Sequence, residues 1–341
     1  MMSRSNILKN PLLLFLSLFI FLSLSGCGSK YYFEPKEEEI KGKISFNDSI
    51  PSPIVSLVRD GATLKNGQFI TKYSEIPNVY LPKDARYLNQ TEDYYLASAY
   101  QSLLLINKED HTQTSIAFDN TPISASMYGQ LIAVIFDNNT FALYDLNKSQ
   151  ITYKQDSTLA PTNNTLIAAP YFLNDIVVIP TLDGKLVIID KNNMQMIRNI
   201  VVNGDKYFNN VIFLEAIGNR MVAATPKRII SVSPSVINTF NANIKDILFF
   251  EDRIFIFTSE GEVILTDQDL NEKRRVKFPF AHFTAANHGR NIVILETRGY
   301  LIALDDELQN SSIFTLPDEI TNPIFSGTRK IFIGNKILEV E

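Results

Sequence analysis

Short apolar segments alternate with tight polar turns along most of this chain. The clearest unit runs from Asp175 to Asp190, where two apolar strands flank a turn at Asp183-Gly184 and an acid closes the second strand. An Asp-Gly pair between two apolar runs is a strong signal for a β-hairpin. The same pattern returns in three other segments, which are Leu131 to Asp145, Arg253 to Asp267 and Asn291 to Asp305. A recurring hairpin predicts a repeat architecture.

The spacing of the closing acids indicates the period of this repeat. Asp145, Asp190, Asp267 and Asp305 are separated by 45, 77 and 38 residues, so the middle interval holds two periods. The unit that this spacing requires lies at Asn219 to Ser233. Weaker versions of the hairpin occur in three more segments, Tyr94 to Asn107, Ile54 to Lys65 and Arg329 to Val340. The sequence therefore contains eight candidate hairpins.

These hairpins are typical of the four-stranded blades of a β-propeller. Most of their strands are apolar in both phases, as in Ile254-Phe255-Ile256-Phe257, so we expect each strand to be covered on two faces. The segments between the hairpins show no convincing helical period. We predict an all-β propeller of eight blades, with seven as the alternative because two of the hairpins are irregular.

The segments between the hairpins are long enough to supply the innermost and outermost strands. Ile244 to Phe250 precedes its hairpin, for example, and Met196 to Val202 follows its own. The last unit stops at Glu341, just after its second hairpin strand. We expect Lys43 to Phe46 to fill the missing edge and close the ring, because an unpaired strand edge invites aggregation.

The first 27 residues have the pattern of an export signal. Arg4 and Lys9 precede an apolar run from Leu12 to Leu24, whose 13 residues are too few to cross a bilayer, where about 20 are needed. The run ends at Leu24-Ser25-Gly26-Cys27, which resembles the lipobox of bacterial lipoproteins. The resemblance implies cleavage between Gly26 and Cys27, a diacylglycerol on the thiol and a fatty acid such as palmitate on the new amine. An ordinary secreted protein is the alternative.

Three regions follow from this pattern. We predict a signal peptide at 1–26, a lipidated linker at 27–41 and a propeller domain at 42–341. The linker contains three consecutive glutamates from Glu37 to Glu39 and few aliphatic residues, which favours a mobile segment. Because two or more acyl chains anchor a protein stably, we expect the mature protein to be tethered to a membrane. Gly28 stands where many inner-membrane lipoproteins carry Asp, so the resemblance implies the outer membrane, facing the periplasm.

The charge of the chain argues against nucleic acid as a partner. Without residues 1–26 the chain has 30 basic and 37 acidic side chains, for a net charge of −7. Phosphate neutralisation requires the opposite balance. The run Lys273-Arg274-Arg275 is interpreted as the solvated surface of a turn.

Two segments resemble a known propeller repeat. Asp183-Gly-Lys-Leu-Val-Ile-Ile-Asp190 resembles the quinoprotein-type repeat, whose core is an Asp-Gly turn followed by a strand ending in Leu-Asp, and Tyr300 to Asp305 is similar to that core. A lipobox followed by such blades resembles the BamB-like lipoprotein family of the outer-membrane β-barrel assembly machine. That resemblance implies a non-catalytic periplasmic scaffold. The chain has no tryptophan, which quinoprotein repeats use between blades, so we expect Phe and Tyr to pack there.

Candidate chemistry is sparse in this sequence. The three histidines are His111, His282 and His288, which we interpret as surface or loop residues, and we predict no metal, no cofactor and no quinone site. The recurring closing acids are interpreted as turn caps, and Asp305-Asp306-Glu307 as solvated strand-end acids. No Gly-x-Ser-x-Gly elbow or phosphate-binding glycine loop is found, and we predict that the protein is not an enzyme.

Three functions remain open from the sequence. The first is a lipid-anchored periplasmic scaffold that binds proteins and assists the assembly of outer-membrane barrels, with that machinery or other envelope proteins as partners. The second is an enzyme or small-ligand receptor that uses the central channel, for which polar residues near the inner-strand starts are candidates: Thr121, Asn163, Asn209, Asn243, His282 and Asn322. The third is a surface-exposed adhesin or host-factor binder.

Overall fold

The computed structural model describes residues 31–46, 48–156, 166–205, 209–217 and 220–340. Within these ranges the chain is all-β, apart from one 3-10 turn at Glu37–Glu39, and its strands form eight separate sheets. The sheets follow one another in chain order, and each sheet contacts the next or shares a buried apolar cluster with it, including the last sheet with the first. This arrangement is a propeller of eight blades, which confirms the predicted fold and blade count.

Two strands precede the first blade, β1 (Ile40–Lys43) and β2 (Asp48–Ser49). Blade 1 contains β3 (Ile54–Val58), β4 (Gly61–Leu64) and β5 (Phe69–Thr71). Blade 2 contains β6 (Arg86–Gln90), β7 (Tyr94–Ala99), β8 (Ser102–Asn107) and β9 (Gln113–Ala117). Blade 3 contains β10 (Pro122–Tyr128), β11 (Leu131–Phe136), β12 (Phe141–Asp145) and β13 (Gln150–Gln155). Blade 4 contains β14 (Tyr171–Leu173), β15 (Ile176–Pro180), β16 (Lys185–Asp190) and β17 (Gln195–Val201).

The second half of the ring repeats this organisation. Blade 5 contains β18 (Phe213–Ile217), β19 (Arg220–Ala224), β20 (Arg228–Val232) and β21 (Ile237–Asn241). Blade 6 contains β22 (Ile244–Phe250), β23 (Arg253–Thr258), β24 (Glu262–Asp267) and β25 (Glu272–Lys277). Blade 7 contains β26 (Phe283–His288), β27 (Ile292–Glu296), β28 (Tyr300–Leu304) and β29 (Ser311–Thr315). Blade 8 contains β30 (Ile324–Gly327), β31 (Lys330–Ile333) and β32 (Lys336–Glu339).

The predicted hairpins correspond to the second and third strands of blades 2 to 8. In blade 1 the predicted hairpin from Ile54 to Lys65 is instead the first and second strands, β3 and β4. That blade has three strands in the described part of the chain. In blade 1 the turn at Arg59-Asp60 joins the innermost strand to the second strand. In the other seven blades the turn of the predicted hairpin joins the second strand to the third, further from the axis.

Apolar side chains fill the space between neighbouring blades. Ile135 and Phe141 of blade 3, for example, share one buried cluster with Val177 and Ile179 of blade 4. Aromatic rings join other blades, and Phe69 of blade 1 stacks on Tyr87 of blade 2 with 4.7 Å between ring centroids. Phe and Tyr therefore pack between blades, as predicted for a chain without tryptophan. Middle strands such as β11 and β23 are covered on both faces, which explains their unbroken apolar pattern, whereas outermost strands such as β17 and β25 are largely exposed.

The N-terminal segment closes the ring, but not with the predicted residues. Asp48 and Ser49 of β2 pair with β32 and give blade 8 its fourth strand. Ile40–Lys43 instead runs parallel to β29 and adds a fifth strand to blade 7. The predicted closing segment, Lys43 to Phe46, lies mostly between these two strands. The N-terminal segment therefore pairs first with the outer edge of blade 7 and then with the outer edge of blade 8. It contributes two strands, whereas the prediction had one closing strand.

The folded part of the chain begins earlier than the predicted boundary at Gly42. Phe33 is only 6% exposed and lies in the core cluster between blades 6 and 7. Its ring meets Phe278 and Tyr300 edge-on, with centroid distances of 6.2 and 5.5 Å. Phe33 and Ile40 of the segment predicted to be a linker thus contact blades 6 and 7, whereas most of the other described side chains up to Lys41 are exposed.

The closing acids of the hairpins cap the turns that follow them, as predicted. Asp145 Oδ1 accepts hydrogen bonds from the backbone N–H groups of Asn147 and Lys148 at 3.0 and 3.2 Å. Asp190, Asp267 and Asp305 accept equivalent bonds from the residues that follow each of them. In each of these four units, the carboxylate therefore accepts hydrogen bonds from backbone N–H groups of the following turn, which stabilises that turn.

We expect one of these caps to make the stability of the protein depend on acid pH. Burial alone would raise the pKa of Asp267, but hydrogen bonds from Lys273 and Asn271 outweigh it and lower that pKa from the usual 3.8 to about 2. The folded state therefore gains stability from this group above pH 4 and loses it as the pH falls towards 2. Because the carboxylate is partly exposed, we expect Asp267→Asn to cost about 1 kcal/mol at pH 7. Urea unfolding should show that difference shrinking towards pH 2, and a constant difference would contradict the assignment.

Candidate functional site

The inner strands of all eight blades surround one central cavity of about 530 Å³. Its wall includes Asn89 of blade 2, Ser126 of blade 3 and Asn287 of blade 7. These side chains also join adjacent blades, since Asn89 Nδ2 donates to the Ala125 carbonyl at 3.1 Å and Asn287 Nδ2 donates to the Gly327 carbonyl at 2.7 Å. Part of the polar wall therefore holds the ring together.

One side chain reaches across the axis of the propeller. Arg59 lies in the β3–β4 turn of blade 1, and its Nη1 is 3.1 Å from Asp246 Oδ1 in blade 6. The guanidinium carbon also lies 4.7 Å from the ring centroid of Phe213 in blade 5. A planar cation stacked on an aromatic face and paired with a carboxylate is held firmly. The first blade is thereby connected to the opposite side of the ring.

Four further charged residues line the cavity without such pairing. They are Asp60 and Lys72 of blade 1, Glu215 of blade 5 and Lys245 of blade 6. Asp60, Glu215 and Lys245 form no hydrogen bond or ion pair through their side chains with other residues that the structure describes. Lys72 lies over the Tyr73 ring, 5.4 Å from its centroid. The cavity thus contains acidic and basic side chains that form no ion pair with other residues that the structure describes.

The carboxyl groups of Asp60 and Glu215 both have a pKa above the usual value. Burial raises the pKa of Asp60, and Lys72 and Arg59 offset this only in part. Burial also raises the pKa of Glu215, where Asp60 adds to the shift and Lys72 opposes it. Each carboxylate would be stabilised by a cation that enters the cavity, because desolvation disfavours the charged form until an opposite charge is near.

The polar residues predicted for the channel lie elsewhere. Asn163 is outside the described residues, and the other five do not line the cavity: Thr121, Asn209, Asn243, His282 and Asn322. They support turns instead. Asn209 accepts a hydrogen bond from Asn203 Nδ2 at 2.9 Å, and Asn243 accepts one from Lys227 Nζ at 2.6 Å. Asn209 and Asn243, which lie near strand starts, are therefore structural residues and do not face the channel.

The charged residues that do line the cavity have a recognisable signal in the sequence, which differs from a polar strand start. Glu215 interrupts the apolar run Phe213-Leu214-Glu215-Ala216-Ile217, and Lys245-Asp246 interrupts β22. A charge inside an apolar inner strand marks the point where that strand faces the axis. Arg59-Asp60 is charged for the same reason, although it occupies a turn.

The remaining candidate residues show no reactive grouping. His288 Nε2 lies 2.9 Å from Asp306 Oδ1, with the imidazole stacked on Phe250, and Glu307 pairs with Arg253 at 2.8 Å. Part of the acidic run from Asp305 to Glu307 is thus paired with neighbours and not merely solvated. In the described ranges no three His, Cys, Asp or Glu side chains converge as metal ligands.

The predicted lipidation site is not covered by the structure. Gly26 and Cys27 lie outside the described residues, so lipidation and cleavage remain predictions. Among the residues that are described, no helix has the length and apolar character needed to cross a membrane.

Comparison with known proteins reveals similarity in sequence and in fold. No protein-family model matches the chain. Plasminogen-binding protein PgbB from one Helicobacter pylori strain is 29% identical over 359 aligned positions, covering 92% of this chain and 66% of PgbB. PgbB from a second strain is also 29% identical, covering 94% and 67%. The chain therefore spans about two thirds of the length of these curated relatives.

Solved structures share the architecture at low sequence identity. BamB from Moraxella catarrhalis superposes with a TM-score of 0.63 at 13% identity, covering 84% of this chain and 95% of BamB. The C-terminal WD40 domain of Sif2 gives 0.64 at 11% identity, covering 88% and 99%. At such identities the likeness concerns the fold alone. This chain is an eight-bladed propeller that resembles BamB in architecture and is similar over almost its whole length to the plasminogen-binding protein PgbB.

Proposed function

We propose that this protein binds a host protein of the plasminogen type on its propeller body. The observation that carries the proposal is the extent of its similarity to PgbB, which covers 92% of the chain and therefore extends through most of the ring. A repeated, closed fold offers a broad rigid surface for such binding.

Purified protein tests the proposal directly. The chain without residues 1–30 should bind immobilised plasminogen saturably, with a Kd of about 1 μM or tighter, and should not bind serum albumin. The experiment tests only the part of the PgbB sequence that this chain spans, about two thirds of its length. If plasminogen does not bind at concentrations of about 50 μM, the proposal fails.

We also propose that the protein acts while anchored by lipid at Cys27 in the outer membrane. The lipobox-like residues Leu24 to Cys27 support this, and capture of a host protein requires exposure on the cell surface. Intact cells producing the wild-type chain should therefore bind plasminogen and lose that binding after mild protease treatment. Cells producing Cys27→Ala should lose the binding, although purified Cys27→Ala protein retains it. Protection of the wild-type protein from protease would instead place it on the periplasmic side.

Assistance of outer-membrane barrel assembly is a second candidate function. The fold shared with BamB supports a protein-binding scaffold, and at 13% identity it does not specify the partner. Recovery of the barrel-assembly machinery with the protein, from mildly solubilised envelopes, would favour this role. Such a result together with no plasminogen binding would replace the first proposal.

A further inference from the structure

We propose that the central cavity is a binding site for a small zwitterion, namely a free amino acid or a peptide of two or three residues with unblocked ends. The proposal does not depend on the proposed binding of plasminogen. The cavity contains unpaired acids, Asp60 and Glu215, together with Lys72 and Lys245. A ligand that matches both signs must itself carry an ammonium group and a carboxylate.

The distribution of ion pairs favours this class of ligand. Arg59 and Asp246 already neutralise each other at 3.1 Å, so they are not the groups that need a partner. Lys245 has no ion pair in the described part of the chain and is suited to a carboxylate. Asp60 and Glu215 share the positive charges of Lys72 and Arg59, which only partly offset the desolvation of the two carboxylates, so these groups are suited to an additional ammonium group.

The size and the apolar part of the cavity limit the ligand further. A volume of about 530 Å³ falls within the range of small-molecule sites and exceeds what a simple ion needs. Leu57 and Leu248 line the same cavity, and Leu57 is 41% exposed despite its apolar side chain. An apolar ligand side chain would cover such residues, so we expect leucine-containing ligands to bind better than glycine-containing ones.

The charges also explain why the ligand would lie near the axis. Residues from blades 1, 5 and 6 supply the charged groups, and Arg59 connects those three blades through Asp246 and Phe213. Because Arg59 is fixed on both sides, the neighbouring Asp60 is held at a defined position. Such a preorganised arrangement reduces the entropy cost of binding.

Isothermal titration of the purified chain with leucine, Leu-Leu and Leu-Leu-Leu tests the proposal. We expect saturable binding of at least one of them, and at least tenfold weaker binding of its N-acetyl and C-amide derivatives. Glu215→Gln should weaken binding of the free ligand and abolish its advantage over the N-acetyl form. Lys245→Gln should abolish the advantage over the C-amide form. These side chains are exposed to the cavity, so neither substitution should alter the circular dichroism spectrum or the melting temperature.

Matched substitutions outside the cavity provide the control. Glu109→Gln and Lys83→Gln change exposed charges of the same types and should leave binding unchanged. The proposal is overturned if none of the three ligands binds at about 10 mM, or if both derivatives are still discriminated against in Glu215→Gln and Lys245→Gln. Should Glu215→Gln fail to fold, Asp60→Asn tests the ammonium site in its place.

Discussion

Replacing Phe33 with alanine is expected to lower the free energy of unfolding by about 3 kcal/mol, the lower end of the range for a buried phenylalanine. The ring is 6% exposed and fills a space between blades 6 and 7 against Phe278 and Tyr300. Removing it leaves a cavity in that cluster and releases the segment that leads into β1. Chemical unfolding of the chain without residues 1–30 measures the effect.

An exposed aromatic residue serves as the control for this substitution. Tyr80 is 55% exposed, so Tyr80→Ala should change the free energy of unfolding by less than about 1 kcal/mol. Equal, small effects for both variants would show that the segment before β1 is a linker after all. A large effect for Phe33→Ala establishes that this segment unfolds together with the ring.

Gly61→Ala is expected to be at least as damaging, with a loss of about 3 kcal/mol or a failure to fold. A β-carbon at Gly61 would lie 2.3 Å from Tyr87 Cε1 and 2.4 Å from the carbonyl oxygen of Ile70. The tyrosine is fully buried and stacked on Phe69, and the carbonyl belongs to the neighbouring strand β5, so neither can move away easily. The strand pairing of blade 1 and its contact with blade 2 would both be disturbed.

Gly204→Ala is the matched comparison, since an added β-carbon there would meet its nearest neighbour, Val201, at 3.8 Å. We expect a change of less than about 1 kcal/mol in its free energy of unfolding. Thermal and urea unfolding of both variants would distinguish the two positions. A Gly61→Ala protein as stable as the wild type would mean that blade 1 packs less tightly than its contacts indicate.

The blades could be predicted because their information is local. Each hairpin carries its own turn, apolar strands and closing acid, as in Asp175 to Asp190, and the period repeats these signals often enough to count blades. The edges could not be assigned in the same way. Phe33 and Ile40 are isolated apolar residues in a charged segment, and their partners, Phe278 and Ile313, lie more than 240 positions away. No periodic pattern links residues across such distances.

The residues that line the cavity could not be predicted from the sequence for a different reason. Strands that are apolar on both faces do not reveal which residues point towards the axis, so polar strand starts such as Asn243 and His282 are the candidates that the sequence offers. The charged groups come from blades 1, 5 and 6, and only closure of the ring brings Arg59 within 3.1 Å of Asp246. Their approach is a property of the tertiary structure, although each charge is visible in the sequence.

The pairing of β2 with β32 has a consequence for the order in which the protein can mature. Asp48 leaves the ribosome long before its partner Ile337 is translated. The ring consequently cannot seal until Ile337 has been synthesised, because contacts this distant in sequence form late. A product terminated before β32 would keep unpaired strand edges, a form that proteases and quality-control factors can distinguish from the finished molecule.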